Sequence, residues 1–361
     1  MADPLLFRPF TLRGLETRNR LWIPPMCQYS VPERDGVPRD WHLVHIGALA
    51  RGGAGMVIVE ATAVVPEGRI SPQDTGLWND EQAAAFSRIV DIAHSHGAKI
   101  AVQLAHAGRK ASTHPALPGF PSGSVPAAEG GWQTVAPSPI RFSDVFDAPR
   151  ELGLDELPGV IEAFVAAAGR AVKAGFDAVE IHAAHGYLLN QFLSPLSNMR
   201  EDAYGGSIEN RARLAREVVR AIRAAHPELP MLVRISATDW VDGGFTVDDA
   251  VIVSEWFKED GADLIDVSSG ATSAQARIPV GPSYQVQLAA QVREAGLPVA
   301  AVGLITSAAQ AEGILVSGQA DVVLVGRAAL ADPHLPIRWA RELQAESAAA
   351  LVPPQYARSG L

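Results

Sequence analysis

Short runs of apolar and β-branched residues recur along the chain, and most of them are followed by a segment with helical periodicity. In Met56–Val59 and Val322–Val325 the apolar residues are consecutive rather than alternating. Consecutive apolar positions are typical of strands covered on both faces, as in a parallel sheet wrapped by helices. The pattern predicts eight strands: Arg20–Met26, Gly55–Val64, Lys99–His106, Ala178–Ala184, Met231–Asp239, Leu264–Gly270, Val299–Thr306 and Val322–Leu330.

The segments between these strands carry helix signals. Glycines that follow the last periodic residue indicate helix ends, and Ser or Thr residues that precede the first turn indicate N-caps. The predicted helices are Asp80–His96, Glu156–Ala174, Ser207–Ala225, Thr246–Asp260 and a helix capped by Thr306 that ends at Val316. Eight strands alternating with helices predict an α/β fold, a (β/α)8 TIM barrel, as one domain over residues 1–361. A doubly wound sheet is the weaker alternative, because Pro24–Cys27 is not the glycine-rich turn which that fold needs after its first strand.

One long interval, between the third and fourth predicted strands, interrupts the alternation. Its first part, His114–Gly131, is rich in Pro, Gly and Ser. Because it leaves the carboxyl end of a strand, where barrel loops build active sites, we expect residues 107–150 to cap the site. The run Gln133–Phe142 could form a hairpin there. At the end of the chain, Pro353 and Pro354 separate a tail, residues 351–361, from the last helix.

Composition narrows the class of protein. Hydrophobic residues make up 48% and charged residues 19% of the 361 positions, which suits a large core. The formal net charge of −10, without a basic run, disfavours nucleic-acid binding. Cys27 is the single cysteine, so intrachain disulfides and Cys-rich metal sites are excluded. No apolar run approaches the roughly 20 residues that cross a bilayer. Met1–Arg8 also lacks signal-peptide features, so we expect a cytoplasmic protein.

The ends of the last two predicted strands suggest a phosphate site. Gly303 and Gly326 end these strands, and Arg327 follows directly. Loops after the seventh and eighth strands commonly bind phosphate in this fold. Glycines let backbone N–H groups approach an anion, and an arginine can pair with it bidentately.

The end of the fourth predicted strand carries His182, His185 and Tyr187. Three interpretations compete. The histidines could bind a metal, for which Asp239 is the one acidic candidate at another strand end, or they could be structural. Alternatively, two imidazole groups polarise a substrate oxygen while the phenol supplies a proton.

Other strand ends add weaker candidates. Arg234, on the fifth predicted strand, needs an anionic partner, which is either an internal carboxylate or a negatively charged cofactor. Gln103 could hydrogen-bond a heterocycle. Cys27 and Tyr29 follow the first predicted strand, although a lone cysteine is most often inert core.

Together these residues resemble the Old Yellow Enzyme family of FMN-dependent ene-reductases, in the branch of bacterial xenobiotic reductases and thermophilic-like enzymes. The most specific segment runs from His182 through Asn190 and Pro195 to Arg211, and Cys27 marks the branch. The resemblance extends from Leu5 to Tyr356 and implies non-covalently bound FMN, with NADPH or NADH as electron donor.

The resemblance also implies roles for individual residues. Those that would contact FMN are Pro24, Pro25, Met26, Cys27, Ala61, Gln103, Arg234, Gly303, Gly326 and Arg327. Those that would contact substrate are Tyr29, His182, His185, Tyr187 and Arg358. Tyr187 would be the proton donor and the histidine pair would hold the substrate oxygen. Arg358 would reach the active site of a neighbouring subunit, in a homodimer or an assembly of dimers.

The implied activity is a ping-pong reduction of activated C=C bonds in unsaturated carbonyl, maleimide or nitro compounds by NAD(P)H. A metal-dependent barrel hydrolase is the main alternative. A Schiff-base aldolase is weaker, since Lys99, Lys110, Lys173 and Lys258 are the only lysines and none ends a predicted strand. A flavin-binding module without catalysis is the remaining alternative.

Overall fold

The computed structural model describes residues 3–360, so Leu361, the last position of the predicted tail, lies outside it together with Met1 and Ala2. The strands are β1 (Phe10–Leu12), β2 (Leu15–Thr17), β3 (Leu21–Ile23), β4 (Met56–Ala63), β5 (Lys99–Ala105), β6 (Val135–Ala136), β7 (Arg150–Glu151), β8 (Ala178–Ala183), β9 (Met231–Ser236), β10 (Leu264–Ser268), β11 (Val299–Ala301) and β12 (Val322–Leu324). The helices are α1 (Asp40–Arg51), α2 (Asp80–Ser95), α3 (Leu157–Ala174), α4 (Leu188–Leu193), α5 (Ile208–Ala225), α6 (Val247–Asp260), α7 (Val286–Val292), α8 (Ala308–Val316), α9 (Arg327–Ala331), α10 (Leu335–Glu342) and α11 (Ala348–Leu351).

Eight of these strands close into a parallel barrel. The order around it is β10-β11-β12-β3-β4-β5-β8-β9, and β9 pairs with β10 to complete the ring. The surrounding helices bury one large apolar layer against the outer faces of the strands. The predicted (β/α)8 barrel is therefore confirmed, and each of the eight predicted strands is present.

Several predicted boundaries are wrong. The first, seventh and eighth strands are each only three residues long, because the apolar pattern continues into the loops that form the mouth. The cap of α8 is Ser307, whose hydroxyl accepts from the Gln310 backbone, and not Thr306. The hairpin in the capping segment is also wrong, since β6 pairs in parallel with the distant β7.

The barrel interior is stacked in layers along the strand direction. The amino-terminal layer is apolar and includes Trp22, Leu232 and Leu264, with Leu12 of the β1–β2 hairpin packed against it. Because side chains alternate along a strand, the next inward-facing residues lie closer to the carboxyl ends. The apolar layer closes the amino-terminal end of the barrel, so a reactive site can form only at the carboxyl-terminal end.

The segment between β5 and α3 lies over that other end. Arg109 donates to the carbonyl oxygen of Thr272, at 2.6 Å, in the loop after β10. Thr113 donates to the carbonyl oxygen of Ile70, in the loop after β4. These contacts attach the segment to loops from two sides of the barrel mouth.

Candidate active site

The loop after β8 brings two histidines and a tyrosine together at the barrel mouth. The His182 ring centroid lies 5.3 Å from that of His185 and 4.9 Å from that of Tyr187, both edge to face. His185 has φ of +58° and Gly186 has φ of +70°, so the chain turns sharply after the strand. A Cβ at Gly186 would lie 2.4 Å from the carbonyl oxygen of Ala271, so only glycine fits this turn.

Both imidazoles are neutral in this environment. Burial, followed by the Arg234 charge, lowers the pKa of His182 and of His185 well below the ordinary value. Nδ1 of His182 accepts from the Ala184 backbone at 3.3 Å, so the proton of this ring is on Nε2. His185 Nε2 is 2.7 Å from the Ser268 hydroxyl, and its tautomer depends on which atom donates. Each ring can therefore offer one N–H at most.

Residues after the first barrel strand meet this group from the opposite side of the mouth. Cys27, Tyr29 and Tyr187 all pack on the same small apolar cluster, which includes Ala61 and Ala105. Burial raises the pKa of all three, and Tyr187 remains a phenol at any ordinary pH. The geometry thus gathers the predicted candidates from the first, second and fourth strands at one place.

Lys110 also lies in the mouth, although it follows β5 by several residues. Its Nζ donates to the carbonyl oxygens of His185, at 2.8 Å, and Ala271, at 3.1 Å. It lies 5.0 Å from the centre of the Tyr187 ring. Burial lowers the pKa of Lys110 to about 7. A search restricted to strand ends misses this residue, because the short turn at Gly108–Lys110 carries it back over the barrel.

Below the histidines, the next layer of the barrel interior is charged. Nε of Arg234 lies 3.0 Å from the carboxylate of Asp266, which is fully buried. Gln103 Nε2 donates to Oε1 of the equally buried Glu180 at 2.8 Å. Arg234 therefore has the internal carboxylate partner that the sequence allowed for, while it also lines the cavity described next.

A cavity of about 180 Å³ opens beside this layer, between the loops after β10, β11 and β12. Arg234 and Arg327 line it from two sides, together with Gly303 and Gly326. Gly303 has φ of +125°, and a Cβ there would lie 3.1 Å from the Tyr284 ring. No carboxylate among residues 3–360 forms an ion pair with Arg327. The cavity therefore combines close backbone approach with an available cation.

The loop after β3 adjoins this cavity. A Cβ at Gly326 would lie 3.3 Å from Met26 Sδ and 3.4 Å from the Pro24 ring. Pro25 lies between these two residues in the same loop. Arg234 lines the cavity, and Gln103 lies in the charged layer beside it. Cys27 and the histidine pair lie beyond them at the barrel mouth. A phosphate-bearing heterocycle fits this sequence of cations, amide and apolar wall.

Arg358 lies elsewhere. The tail folds against its own chain, where Tyr356 lies 5.2 Å from Arg51 and 5.7 Å from His334. Arg51 ends α1, at the end of the barrel opposite the mouth. Arg358 is exposed there and does not reach the mouth of its own barrel.

Within residues 3–360, no group of three or more His, Cys, Asp or Glu is arranged to hold a metal ion. No helix in that range is long and apolar enough to span a membrane.

Fold and site together define the class as a TIM-barrel oxidoreductase that binds a flavin. The chain belongs to the NADH:flavin oxidoreductase / NADH oxidase family, whose model matches residues 5–346. The NADPH dehydrogenase of Geobacillus thermodenitrificans (strain NG80-2) is 47% identical over 357 residues, which cover 99% of this chain and 98% of that protein.

Solved structures agree with this assignment. Morphinone reductase is 30% identical with a TM-score of 0.79, covering 94% of this chain and 90% of its own. An Old Yellow Enzyme homologue from Zymomonas mobilis is 29% identical with the same TM-score, covering 94% and 93%. The resemblance to the Old Yellow Enzyme family is confirmed, and the chain is a flavin-dependent NAD(P)H oxidoreductase. Family membership gives no support to the hydrolase alternative.

Proposed function

We propose that this protein is an FMN-dependent ene-reductase, which reduces the activated C=C bond of unsaturated carbonyl compounds, maleimides and nitroalkenes. The observation that carries the proposal is the contact of His182, His185 and Tyr187 at the mouth of a flavin-binding barrel. Two neutral N–H donors beside a phenol suit a substrate whose oxygen gains charge as its carbon gains a proton.

FMN is the proposed flavin because the cavity suits a single phosphate. Arg327 and the backbone at Gly303 and Gly326 would hold that phosphate. Arg234, which lines the same cavity, and Gln103, which lies in the charged layer next to it, would contact the ring. Pro24, Pro25, Met26, Cys27 and Ala61 would form the wall against which the ring lies. When bound, FMN would supply the hydride that passes from NAD(P)H to the alkene.

The protein's own groups would handle charge and protons. His182 and His185 would donate to the substrate oxygen, which draws electron density away from the alkene. Because both imidazoles are neutral, they would polarise this oxygen without protonating it. Tyr187 would give its phenolic proton to the α-carbon, and Tyr29 would contact the other side of the substrate.

The mouth supports a ping-pong order. The histidine pair is the one pair of adjacent imidazole donors in the described part of the mouth, so nicotinamide and alkene would compete for it. NADPH or NADH would therefore bind and leave before the alkene enters.

We further propose a homodimer or an assembly of dimers, in which Arg358 completes the partner's substrate pocket. In support, Arg358 is exposed and held away from its own mouth by the Tyr356 contacts. An apolar groove lined by Trp41, Val44 and Leu330 lies on the same side of the molecule, and all three are exposed. A contiguous exposed apolar patch is typical of a protein interface.

The proposal is tested by replacing both histidines with alanine. The double variant should still bind FMN, which heat or acid releases from the purified protein, but should bind phenols and cyclic enones much more weakly. By analogy with an oxyanion hole, each lost donor should also cost about 2.7–4 kcal/mol of transition-state stabilisation in the enone reaction. An unchanged kcat/KM for a cyclic enone, or FAD in place of FMN, would refute the proposal.

A further inference from the structure

Glu180 is a buried carboxyl group to which the proposed mechanism assigns no role. It lies on β8 between the inward-facing residues Ala178 and His182, directly below the histidine layer. The strands that flank β8 contribute Gln103 from β5 and Arg234 from β9, and the next strand, β10, contributes Asp266. These are the polar and charged groups that face Glu180, and together with it we call them the charged layer.

The layer contains two carboxyl groups but only one cation. Asp266 holds the ion pair with Arg234 at 3.0 Å. Glu180 receives one hydrogen bond, from Gln103, on Oε1. Its other oxygen, Oε2, is buried without an N–H or O–H donor within residues 3–360. The same holds for both carboxylate oxygens of Asp266, whose ion pair with Arg234 Nε is not a hydrogen bond. Two ionised carboxylates would leave these oxygens unsatisfied and facing each other.

One proton on Glu180 would remove the excess negative charge and would also supply a donor for the buried oxygens. Glu180 and Asp266 both face the barrel interior with buried oxygens that lack a donor, so a proton on Glu180 Oε2 would be placed to donate to Asp266. Burial raises the pKa of Glu180 well above its ordinary value, and the Asp266 charge raises it further. Burial raises the pKa of Asp266 as well, and Arg234 lowers it again. Asp266 is the member that stays ionised, because it and not Glu180 forms the ion pair with Arg234 at 3.0 Å.

We propose that Glu180 is a positioning residue that carries a permanent proton, donates it to Asp266 and keeps the charged layer neutral beneath the flavin. In this arrangement Gln103 donates to Glu180, and Glu180 donates to Asp266. Gln103 donates to Glu180 through Nε2, so its amide oxygen is left as an acceptor for an N–H of the flavin ring. Arg234, balanced by one carboxylate only, keeps its remaining N–H groups as donors on the cavity side.

The consequence concerns the reduction potential of the bound flavin. A second negative charge below the ring would disfavour the anionic reduced flavin, and protonated Glu180 avoids this charge. The inference rests on the proposed FMN site, but it concerns residues of the chain that can be examined with or without FMN.

Infrared spectroscopy of the wild-type holoenzyme tests the proton directly. The C=O stretch of a protonated carboxyl group should be present and should persist at alkaline pH. Burial also raises the pKa of Asp74, to about 8, so its band should disappear as the pH rises past that value while the Glu180 band stays. Absence of any protonated-carboxyl band well above that pH would overturn the proposal, whatever the variants do.

Two matched variants test the consequence. Glu180→Gln replaces the protonated acid by a neutral group of the same shape, so it should lose the persistent band while the flavin potential and FMN affinity stay unchanged. Asp266→Asn removes a real negative charge and should raise the potential. If Glu180 is ionised instead, Glu180→Gln should raise the potential as Asp266→Asn does, and the proposal is wrong. Lack of bound FMN would contradict the proposed function, while the infrared band of the apoprotein would still decide the state of Glu180.

Discussion

The environment of Cys27 determines which chemistry its thiol can perform. Burial, with smaller contributions from Asp74 and Glu60, raises the pKa of Cys27 well above its ordinary value. A thiol in this state is a poor nucleophile, because the thiolate is the reactive form. Cys27 is therefore suited to contact the flavin as a polarisable neutral group rather than to form a covalent bond.

Lys110 gives a pH-dependent prediction at the same scale. Its pKa is about 7 in the folded chain and that of an unperturbed lysine is about 10.4, so the unfolded chain binds more protons between these values. Stability linked to Lys110 should therefore rise with pH across this range. We expect the melting temperature of wild type, relative to Lys110→Met, to increase from neutral to alkaline pH. Parallel curves for the two proteins would show that the ammonium is not desolvated.

At the scale of elements, a glycine in the flavin cavity and a glycine in a helix should respond differently to substitution by alanine. An alanine at Gly303 would adopt φ of +125° with its Cβ 3.1 Å from Tyr284, a strain of about 1–3 kcal/mol. Gly303→Ala should weaken FMN binding by roughly tenfold or more, measured by fluorescence titration of the apoprotein. Gly313→Ala is the matched control, because a Cβ there meets nothing within 4 Å in α8. The control should gain about 0.5–1 kcal/mol of stability with FMN affinity unchanged. Equal FMN affinity in both variants would show that Gly303 does not contribute to the FMN site.

The elements also show how far sequence reasoning reaches. Consecutive apolar runs identify all eight barrel strands, because a strand covered on both faces must be apolar at every position. The local motif at His182–Tyr187 identifies the mouth for a different reason, which is that its residues are close together in the sequence. The pairing of β6 with β7 cannot be predicted from the sequence, because each strand has only two residues and neither shows a clear apolar pattern.

The charged layer is missed for a related reason. Glu180 and Asp266 each interrupt an apolar run, and this is the only sequence signal that they give. Their contact depends on the curvature of the barrel wall, which brings inward-facing side chains of β8 and β10 together across β9. Arg234 could be predicted to need an anion, but its partner could be named only from the three-dimensional structure.

At the scale of the whole molecule, the tail tests the proposed assembly. Deletion from Gln355 onward removes Arg358 and the Tyr356 contacts with Arg51 and His334. We expect light scattering to show a smaller species and the KM for a cyclic enone to rise. Arg358→Ala in the full chain is the control, and it should raise KM while the assembly is retained. A truncated protein with the wild-type size and KM would exclude a shared site.

Anaerobic stopped-flow spectroscopy of wild type and Tyr187→Phe tests the proposed reaction most directly. NADPH should bleach the flavin absorbance equally fast in both proteins, because this half-reaction needs no proton from Tyr187. A cyclic enone should then restore the absorbance quickly in wild type and about 10²–10⁴-fold more slowly in the variant, the range for loss of a general acid. Equal slowing of both half-reactions, or a reduced flavin that the enone does not reoxidise, would contradict the account.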